Sequence, residues 1–443
     1  MKSLLKHQGF IKYFKNTSWL FIDKILRLFI GLFVGVWVAR YLGPDNYGLL
    51  SYVASYVGLF IPLSTLGLDE VVIRELVKDI SKRDVILGTA FRLKLIGTLI
   101  FFFVLSLSVL FSNDDKNTYT LIYIMACVTI FHVFNVIDYY FQSKVMSKYI
   151  VIANTIGFLS SAILKIIFIM LKTPIYTFIL VGVIESFVIS IGYLGAYIYM
   201  NSSSLNWIFD MKLAKTMLRD SWSLIFSGIA ITIYMKIDQV MIKNMIGNEA
   251  VGYYSVAVRF SEIWSFIPVV VSGSLFPSIV NAKNESKEMY HKRLLYLFRL
   301  LVFISLIISF LILLFSKYII IYTYGNLYIQ SVEILQIYVW SIVFVFLNSS
   351  SWKWYILENL QHLAAIRLTI GALLNIVLNI IWIDDYGLKG AAYATLVSYA
   401  VSSFIGNLFN IKTISIFKIQ AKALLTFYKL KGALKVIIQP RPL

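Results

Sequence analysis

Ionisable side chains interrupt several long apolar stretches of this 443-residue sequence. The first such stretch is SWLFIDKILRLFIG, residues 18–31, which contains Asp23, Lys24 and Arg27. A charge near the centre of a bilayer costs about 2.5–3.5 kcal/mol on insertion scales, so each one needs a partner, water or a cavity. Arg binds phosphate oxygens as a bidentate fork and Lys binds them as a point charge, while a buried carboxylate can exchange protons near neutral pH.

Helical spacing lets part of this charge cancel. Asp23 and Arg27 are four residues apart and share a helix face, so they can pair within the helix. Lys24 lies three residues before Arg27 on the adjacent turn. If Asp23 neutralises one cation, the other remains on that face, where it needs an anionic ligand or a partner on another helix.

Two later apolar stretches also carry charges. Lys236 and Asp238 are two residues apart and point in different directions, so they cannot satisfy each other along a helix, whereas Arg259 and Glu262 have i,i+3 spacing and can pair. We expect Asp23, Asp238 and Glu262 either to bind H⁺ or Na⁺ or to act as static counter-ions.

Other charges have a structural interpretation. Lys165 and Glu185 lie in consecutive predicted spans at depths that differ by about 7 Å at the helical rise, so we expect them to form an ion pair between helices. Four charges near span ends are expected to anchor the helices at the membrane interface: Arg92, Lys94, Asp138 and Arg299.

Aromatic residues make up 16% of the sequence, and most are expected to face lipid or the interface. Four aromatic residues lie on spans that are expected to be central. These four are candidates for stacking on sugar rings, with ordinary helix packing as the alternative: Tyr52, Tyr56, Tyr234 and Trp264.

The composition predicts an all-α polytopic membrane protein. Hydrophobic residues account for 59% of the chain, charged residues for 14%, and the mean hydropathy is +0.81. The net charge of +18 indicates Lys and Arg in loops beside anionic lipid, with no nucleic-acid partner. Cys127 is the single cysteine, and no metal-ligand, catalytic-triad or phosphate-loop motif occurs in a usable context. We therefore expect no enzymatic activity, no metal and no cofactor apart from a coupled H⁺ or Na⁺.

Windows of about 20 apolar residues predict twelve transmembrane helices. Their approximate bounds are 17–41, 46–68, 86–112, 118–141, 150–171, 174–200, 222–243, 250–280, 295–316, 331–356, 367–383 and 391–412. Alternate loops differ in charge, with 25 Lys and Arg on one side and six on the other. By the positive-inside rule, this asymmetry places both termini in the cytoplasm.

The chain also repeats itself. Gly43, Gly48 and Ser51 recur as Gly247, Gly252 and Ser255, and Ser18–Trp19 recurs as Ser221–Trp222. Because an even number of predicted spans precedes the second copy, the copies form a parallel repeat of two six-helix lobes around a central cavity. The resulting segments are a cytoplasmic N-terminal segment at 1–16, an N-terminal lobe at 17–200, a cytoplasmic linker at 201–221, a C-terminal lobe at 222–412 and a basic tail at 413–443. The tail either forms an amphipathic helix on the inner leaflet or is loosely ordered.

Three glycine-anchored segments resemble a known family. RYLGPDNYGLLSYVASYVGLFIPLSTLGLDEVVIREL at 40–76 resembles the opening hairpin of bacterial polysaccharide repeat-unit flippases of the O-antigen type. DQVMIKNMIGNEAVGYYSVAVRFSEIWSFIP at 238–268 and DYGLKGAAYATLVS at 385–398 are similar to later hairpins of that family. The resemblance covers about residues 12–412 and includes no catalytic motif.

This resemblance implies membership of the multidrug/oligosaccharidyl-lipid/polysaccharide exporter superfamily, with alternating access in the bacterial inner membrane. It implies an undecaprenyl-diphosphate-linked oligosaccharide as substrate, for O-antigen or capsule synthesis, with membrane lipids and pathway polymerase or chain-length proteins as partners. The cations expected to attract the diphosphate-sugar headgroup are Lys24, Arg27, Lys236 and Arg259, with internal ion pairing as the alternative.

Three alternatives remain open. A multidrug or cation antiporter of the same superfamily would need an acidic cavity, whereas these spans carry at least as many cations as carboxylates. A glycan polymerase or ligase would need a large outside loop, and the predicted outside loops are short. A lipid-II-type flippase would typically have fourteen spans.

Overall fold

The structure is a computed structural model, and it describes residues 8–201 and 206–429. Helices account for nearly all of these residues, with no strand in either range, so the all-α prediction is confirmed for the described chain. The backbone divides into two compact units, Met1–Thr232 and Ile233–Leu443. Each unit is described by itself below.

The first unit contains eight helices and the start of a ninth. Their bounds are α1 Gln8–Thr65, α2 Leu68–Lys78, α3 Arg83–Leu110, α4 Lys116–Ala126, α5 Val128–His132, α6 Asn135–Ser143, α7 Lys148–Met170, α8 Ile175–Asn201 and α9 Met211–Met245. The second unit begins within α9. It continues with α10 Asn248–Glu262, α11 Phe266–Glu285, α12 Lys287–Thr323, α13 Ser331–Tyr338, α14 Ser341–Leu357, α15 Gln361–Tyr386, α16 Leu388–Ser403 and α17 Ile414–Leu425.

Nine helical segments of the described chain are long and apolar enough to cross a membrane, or ten if the bent α13–α14 pair is one span. The sequence predicts twelve. The predicted spans 17–41 and 46–68 both overlap one 56-residue segment, Asp23–Lys78, and α16 has only 16 residues. These two differences account for the change from twelve spans to ten. Nine or ten membrane-crossing segments in the described residues identify a multi-pass membrane protein.

The long α1 contains a sharp break at Gly43, which has φ 72° and ψ 172°. Gly247, the repeat partner of Gly43, precedes α10 with φ 131° and ψ 179°. This region of backbone space is essentially restricted to glycine, because a Cβ would clash there. The two glycines that the sequence aligns therefore end a helix and begin the next one with the same unusual backbone geometry.

The segment between α8 and α9 packs on the first unit. The Ile208 backbone N–H donates to the Asp84 carbonyl at 3.1 Å, and a Cβ on Gly88 would lie 2.4 Å from the Ile208 carbonyl oxygen. The Asp210 carboxylate accepts from the Leu213 backbone N–H at 2.7 Å and so caps α9, which begins inside the predicted linker 201–221. Residues 202–205 of that linker lie outside the described chain.

The predicted basic tail begins with a helix that packs on the protein. Ile416, Ile419 and Ala423 of α17 are buried, and the Gln420 amide donates to Ser351 Oγ of α14 at 2.8 Å. Residues 430–443 of the tail, like residues 1–7 of the N-terminal segment, lie outside the described chain.

The backbone of Gly43 makes a direct prediction. Neither Gly43 nor Gly58 in the same helix has an atom within 4 Å of an added Cβ, but only Gly43 has a positive φ. Gly43→Ala should lower the free energy of unfolding by roughly 1–3 kcal/mol. Gly58→Ala should leave it unchanged or raise it by up to about 1 kcal/mol, through helix propensity. Unfolding of the two purified variants in the same detergent measures the difference, and equal stabilities would contradict the assigned strain.

Candidate substrate and ion site

The charges of the first span form the predicted pair. Arg27 Nε donates to Asp23 Oδ1 at 3.0 Å, one turn earlier on α1. Thr155 of α7 donates its hydroxyl to the same carboxylate oxygen at 3.3 Å, and the Arg27 guanidinium lies 5.7 Å from the centre of the Phe158 ring. Asp23 thus neutralises one cation of this helix, as its i,i+4 spacing predicts.

Positive charge nevertheless remains on this face of α1. Arg27 Nη2 is buried and has no hydrogen-bond partner among the described residues. Lys24 is exposed on the adjacent turn, and no described residue forms an ion pair with it. A buried guanidinium nitrogen without an acceptor forfeits a hydrogen bond worth about 1.5–3 kcal/mol. The geometry therefore leaves donors available to an anionic ligand.

A second polar cluster lies deeper in the first unit than the sequence indicates. Lys94, expected at the interface, is only 1% exposed, and its ammonium donates to the Tyr139 hydroxyl at 2.9 Å. The Tyr139 hydroxyl in turn donates to the Asp69 carboxylate, which lies 4.0 Å from the Lys94 ammonium. Lys94 is buried because α2 and α6 cover this face of α3, a contact that hydropathy does not reveal.

Two of the predicted sugar-stacking residues are core residues instead. Tyr52 is fully buried, and its hydroxyl donates to the Asp114 carboxylate at 2.6 Å. Tyr56 is 7% exposed and donates to Ser108 Oγ at 3.0 Å. The two rings also pack against each other at 5.6 Å. Their ring faces and hydroxyls are therefore occupied by protein, and helix packing is the correct alternative.

In the second unit, Asp238 stands at the centre of a buried network. Oδ2 accepts from the Tyr254 hydroxyl at 2.7 Å and from the Thr395 hydroxyl at 2.6 Å, while Oδ1 accepts from the Asn379 amide at 2.7 Å. Asn379 also donates to the Asn375 amide oxygen at 3.1 Å, and its own amide oxygen has no partner within the described chain. The site thus collects carboxylate, amide and hydroxyl oxygens from α9, α10, α15 and α16.

The sequence identified Asp238 but missed the residues around it. Asn375 and Asn379 are four residues apart on α15, and both are fully buried. A pair of asparagines one turn apart in an apolar span, Asn375 and Asn379, is the signal that could have found this network.

A cavity of about 250 Å³ lies next to this network within the second unit. Its polar lining includes Glu262, Ser261 and Tyr338. The charges of Lys236 and Arg259 act on the Glu262 carboxylate, and Lys236 forms no ion pair within 4 Å in the part of the chain described. Lys236, Arg259 and Glu262 therefore form one electrostatic group.

The remaining aromatic candidates of the second unit differ from each other. Tyr234 stacks on Tyr399 with ring centroids 4.6 Å apart and shares a 2.6 Å hydrogen bond with Ser402, so it is a packing residue. Trp264 is partly buried, and its indole N–H has no partner in the described structure. Of the four aromatic candidates, Trp264 alone keeps an unused donor.

The expected pair between Lys165 and Glu185 does not form, since Glu185 has no ion-pair partner within 4 Å in the described ranges. The antiparallel register of α7 and α8 explains this. A Cβ on Gly157 would contact the Ile189 side chain and the Glu185 carbonyl, which places Gly157 opposite that turn of α8. Lys165 is eight residues further along α7, about 12 Å at the helical rise, so similar estimated depth does not bring the side chains together.

Solved structures define the class of this fold. The chain is similar to the lipid II flippase MurJ in an inward closed conformation, with a TM-score of 0.73 and 17% identity over 94% of this chain and 95% of that one. It is also similar to an inward-facing multidrug resistance MATE transporter of the MOP superfamily, with a TM-score of 0.66 and 14% identity over 94% and 99%. The chain therefore shares the fold of these two membrane proteins.

Sequence comparison identifies the family within this class. The family model described as polysaccharide biosynthesis protein matches residues 13–283, and the MatE model matches residues 223–381. An uncharacterized membrane protein of Methanocaldococcus jannaschii is 23% identical over 88% of this chain and 82% of its own length. The chain belongs to the polysaccharide biosynthesis protein family.

Two adjacent tyrosines allow a matched test of the Asp238 network. Tyr254→Phe removes a buried donor to Asp238, and we expect it to lower the free energy of unfolding by about 1–3 kcal/mol. Tyr253→Phe makes the same change one residue away, where the hydroxyl donates to the exposed Glu249 carboxylate, and should cost less than about 1 kcal/mol. Denaturation of both variants in one detergent measures the difference, and a reversed order would contradict the network.

Proposed function

We propose that this protein moves a polyprenyl-diphosphate-linked oligosaccharide across the cytoplasmic membrane by alternating access, to supply O-antigen or capsular polysaccharide synthesis. The observation that carries the proposal is the positive charge left on α1 after Asp23 has paired with Arg27. Membership of the polysaccharide biosynthesis protein family supports a substrate of this pathway.

In this proposal Arg27 and Lys24 bind the diphosphate. The free Nη2 of Arg27 donates to a phosphate oxygen, and the exposed Lys24 ammonium adds a point charge one turn away. The pair with Asp23 fixes the orientation of the guanidinium before the ligand arrives, which lowers the entropy lost on binding. The diphosphate then takes the place of the missing counter-charge.

The second unit contributes further cations to this function. Lys236 and Arg259 attract the headgroup electrostatically, and Glu262 limits their net charge so that the substrate can also leave. The indole N–H of Trp264 is available to a sugar hydroxyl, and its ring can pack on a sugar face.

We further propose that Asp238 couples transport to an ion gradient. A dehydrated Na⁺ needs several oxygen ligands, and the Asp238 carboxylate lies within hydrogen-bond distance of the Tyr254 and Thr395 hydroxyls and of the Asn379 amide group. A proton on the Asp238 carboxylate is the alternative, because the same donors then lose a charged acceptor and must rearrange. In either case, occupation changes the contacts among α9, α10, α15 and α16.

Multidrug export is the second candidate, favoured by the match of residues 223–381 to the MatE model and by the carboxylate of Glu262 in the cavity wall. An organic cation would bind Glu262 and would be repelled by Lys236 and Arg259. Replacement of these two cations by glutamine therefore separates the functions, because it should weaken lipid-diphosphate transport and strengthen cation transport.

The charge on α1 gives the main test. In proteoliposomes with a fluorescent polyprenyl-diphosphate oligosaccharide, Lys24→Gln, Arg27→Gln, Lys236→Gln and Arg259→Gln should each reduce translocation about tenfold, the loss of one charge-assisted hydrogen bond. Lys116→Gln and Lys317→Gln remove exposed cations elsewhere and should change the rate less than twofold, a difference of about 0.4 kcal/mol. Full transport by all four variants at unchanged protein levels would refute the binding role.

Ion coupling has a separate test. Wild-type translocation should rise when a Na⁺ or pH gradient is imposed, and Asp238→Asn should abolish that response while keeping the side-chain size. Asp385→Asn, an exposed carboxylate in the same unit, should keep the response. Wild-type transport that ignores both gradients would remove the coupling role and leave Asp238 as a structural residue.

A further inference from the structure

A second cationic site lies in the Ile233–Leu443 unit at the end of α16. Arg367 on α15 is 6% exposed, and its guanidinium donates through Nη1 to the Asn407 amide oxygen at 2.8 Å. The Tyr355 ring covers the guanidinium at 4.4 Å and its hydroxyl donates to the same Asn407 oxygen at 2.5 Å. All of these contacts are with neutral groups.

Arg367 therefore lacks a counter-charge. No carboxylate lies within 4 Å of it in the described chain, and its Nε is buried without a hydrogen-bond partner. A buried charge without an opposite charge costs several kcal/mol, and an amide oxygen and an aromatic face offset only part of this. The contacts fix the position of the guanidinium but leave its charge for an anion to neutralise.

Arg367 also lines a cavity of about 190 Å³ whose other walls are largely apolar. Ile366, Ile370 and Phe409 contribute to these walls, and they are 53%, 48% and 78% exposed. Ile366 and Ile370 lie on the membrane-crossing helix α15, where large exposed aliphatic side chains face lipid. An occupant that satisfies both parts of this site needs an anionic group for Arg367 and a hydrocarbon chain for the apolar walls.

The segment next to the cavity, residues 404–429, carries further positive charge. Residues 404–429 contain Lys412, Lys418, Lys422 and Lys429 and no acidic residue. Basic segments of this kind, at the level of the membrane surface, attract anionic lipid headgroups. A soluble anion would gain the same attraction, but it would leave the apolar walls without an occupant.

We propose that this cavity binds one anionic phospholipid, with its phosphate on Arg367 and its acyl chain along Ile366, Ile370 and Phe409. Arg367, Asn407 and Gln420 already form one hydrogen-bonded chain, at 2.8 Å per step, between α15 and α17. The bound phosphate then neutralises the buried guanidinium at the start of this chain and so stabilises the connection. The site is thus a lipid-dependent brace for this end of the second unit.

Native mass spectrometry of the delipidated full-length protein tests the proposal with three probes. Phosphatidylglycerol should bind tightly, phosphatidylcholine at least about tenfold more weakly, and inorganic phosphate not at all at the same concentration. Arg367→Gln should weaken phosphatidylglycerol binding about tenfold, whereas Lys317→Gln, which removes an exposed cation of the same unit outside residues 404–429, should weaken it less than about twofold.

A variant that leaves Arg367 unchanged tests whether the loss of binding in Arg367→Gln is caused by misfolding. Ile370→Trp fills the apolar wall without touching the guanidinium contacts, and it should reduce phosphatidylglycerol binding as strongly as Arg367→Gln. Ile380→Trp places the same side chain at a similarly exposed position of α15, 54% against 48%, outside the cavity, and should bind normally. Equal effects of Arg367→Gln and Lys317→Gln, or binding of phosphate alone, would overturn the proposal. The assay measures no translocation, so its outcome is independent of the transport function.

Discussion

Polar side chains on a transmembrane helix have no bulk water to solvate them. This constraint determines which partners the buried polar side chains of the protein need. Asp23 meets it by accepting from Arg27 and Thr155, and Asp238 by accepting from three neutral donors. Arg27 meets it only in part, because one of its nitrogens stays without an acceptor. A side chain whose hydrogen bonds and charge are fully paired has a structural role. A side chain that is only partly paired can bind a ligand.

The two units satisfy the same constraint in different ways. In the Met1–Thr232 unit an acid and a base pair directly on one helix, and excess positive charge remains. In the Ile233–Leu443 unit the acid Asp238 is surrounded by neutral amides and hydroxyls, with no base within 4 Å among the described residues. A carboxylate that is bound only by neutral donors keeps its negative charge available to a small cation. A carboxylate that is already paired with arginine has its charge neutralised. The buried acids of the two units thus have different partners.

Local rules predicted what depends on local geometry. Most of the apolar windows fall on membrane-crossing helical segments, because burial of the backbone hydrogen bonds in lipid requires helices of about that length. The i,i+4 spacing of Asp23 and Arg27 predicted their pair, because one helix fixes both positions. The aligned glycines Gly43 and Gly247 marked breaks at which other residues would be strained.

These local rules did not predict which side chains of different helices contact each other. Hydropathy placed Lys94 at the interface, but α2 and α6 cover it, and estimated depth joined Lys165 to Glu185, which the register of α7 and α8 keeps apart. The sequence by itself determined the class of protein, the helices and the charges that need explanation. Only the tertiary structure decided which of these charges are satisfied, because rotation and register of neighbouring helices are set by side-chain packing summed over their whole length. Arg367 illustrates the difference: in the sequence it is only the first residue of the predicted span 367–383, whereas its packing makes it a buried charge without a counter-ion among the described residues.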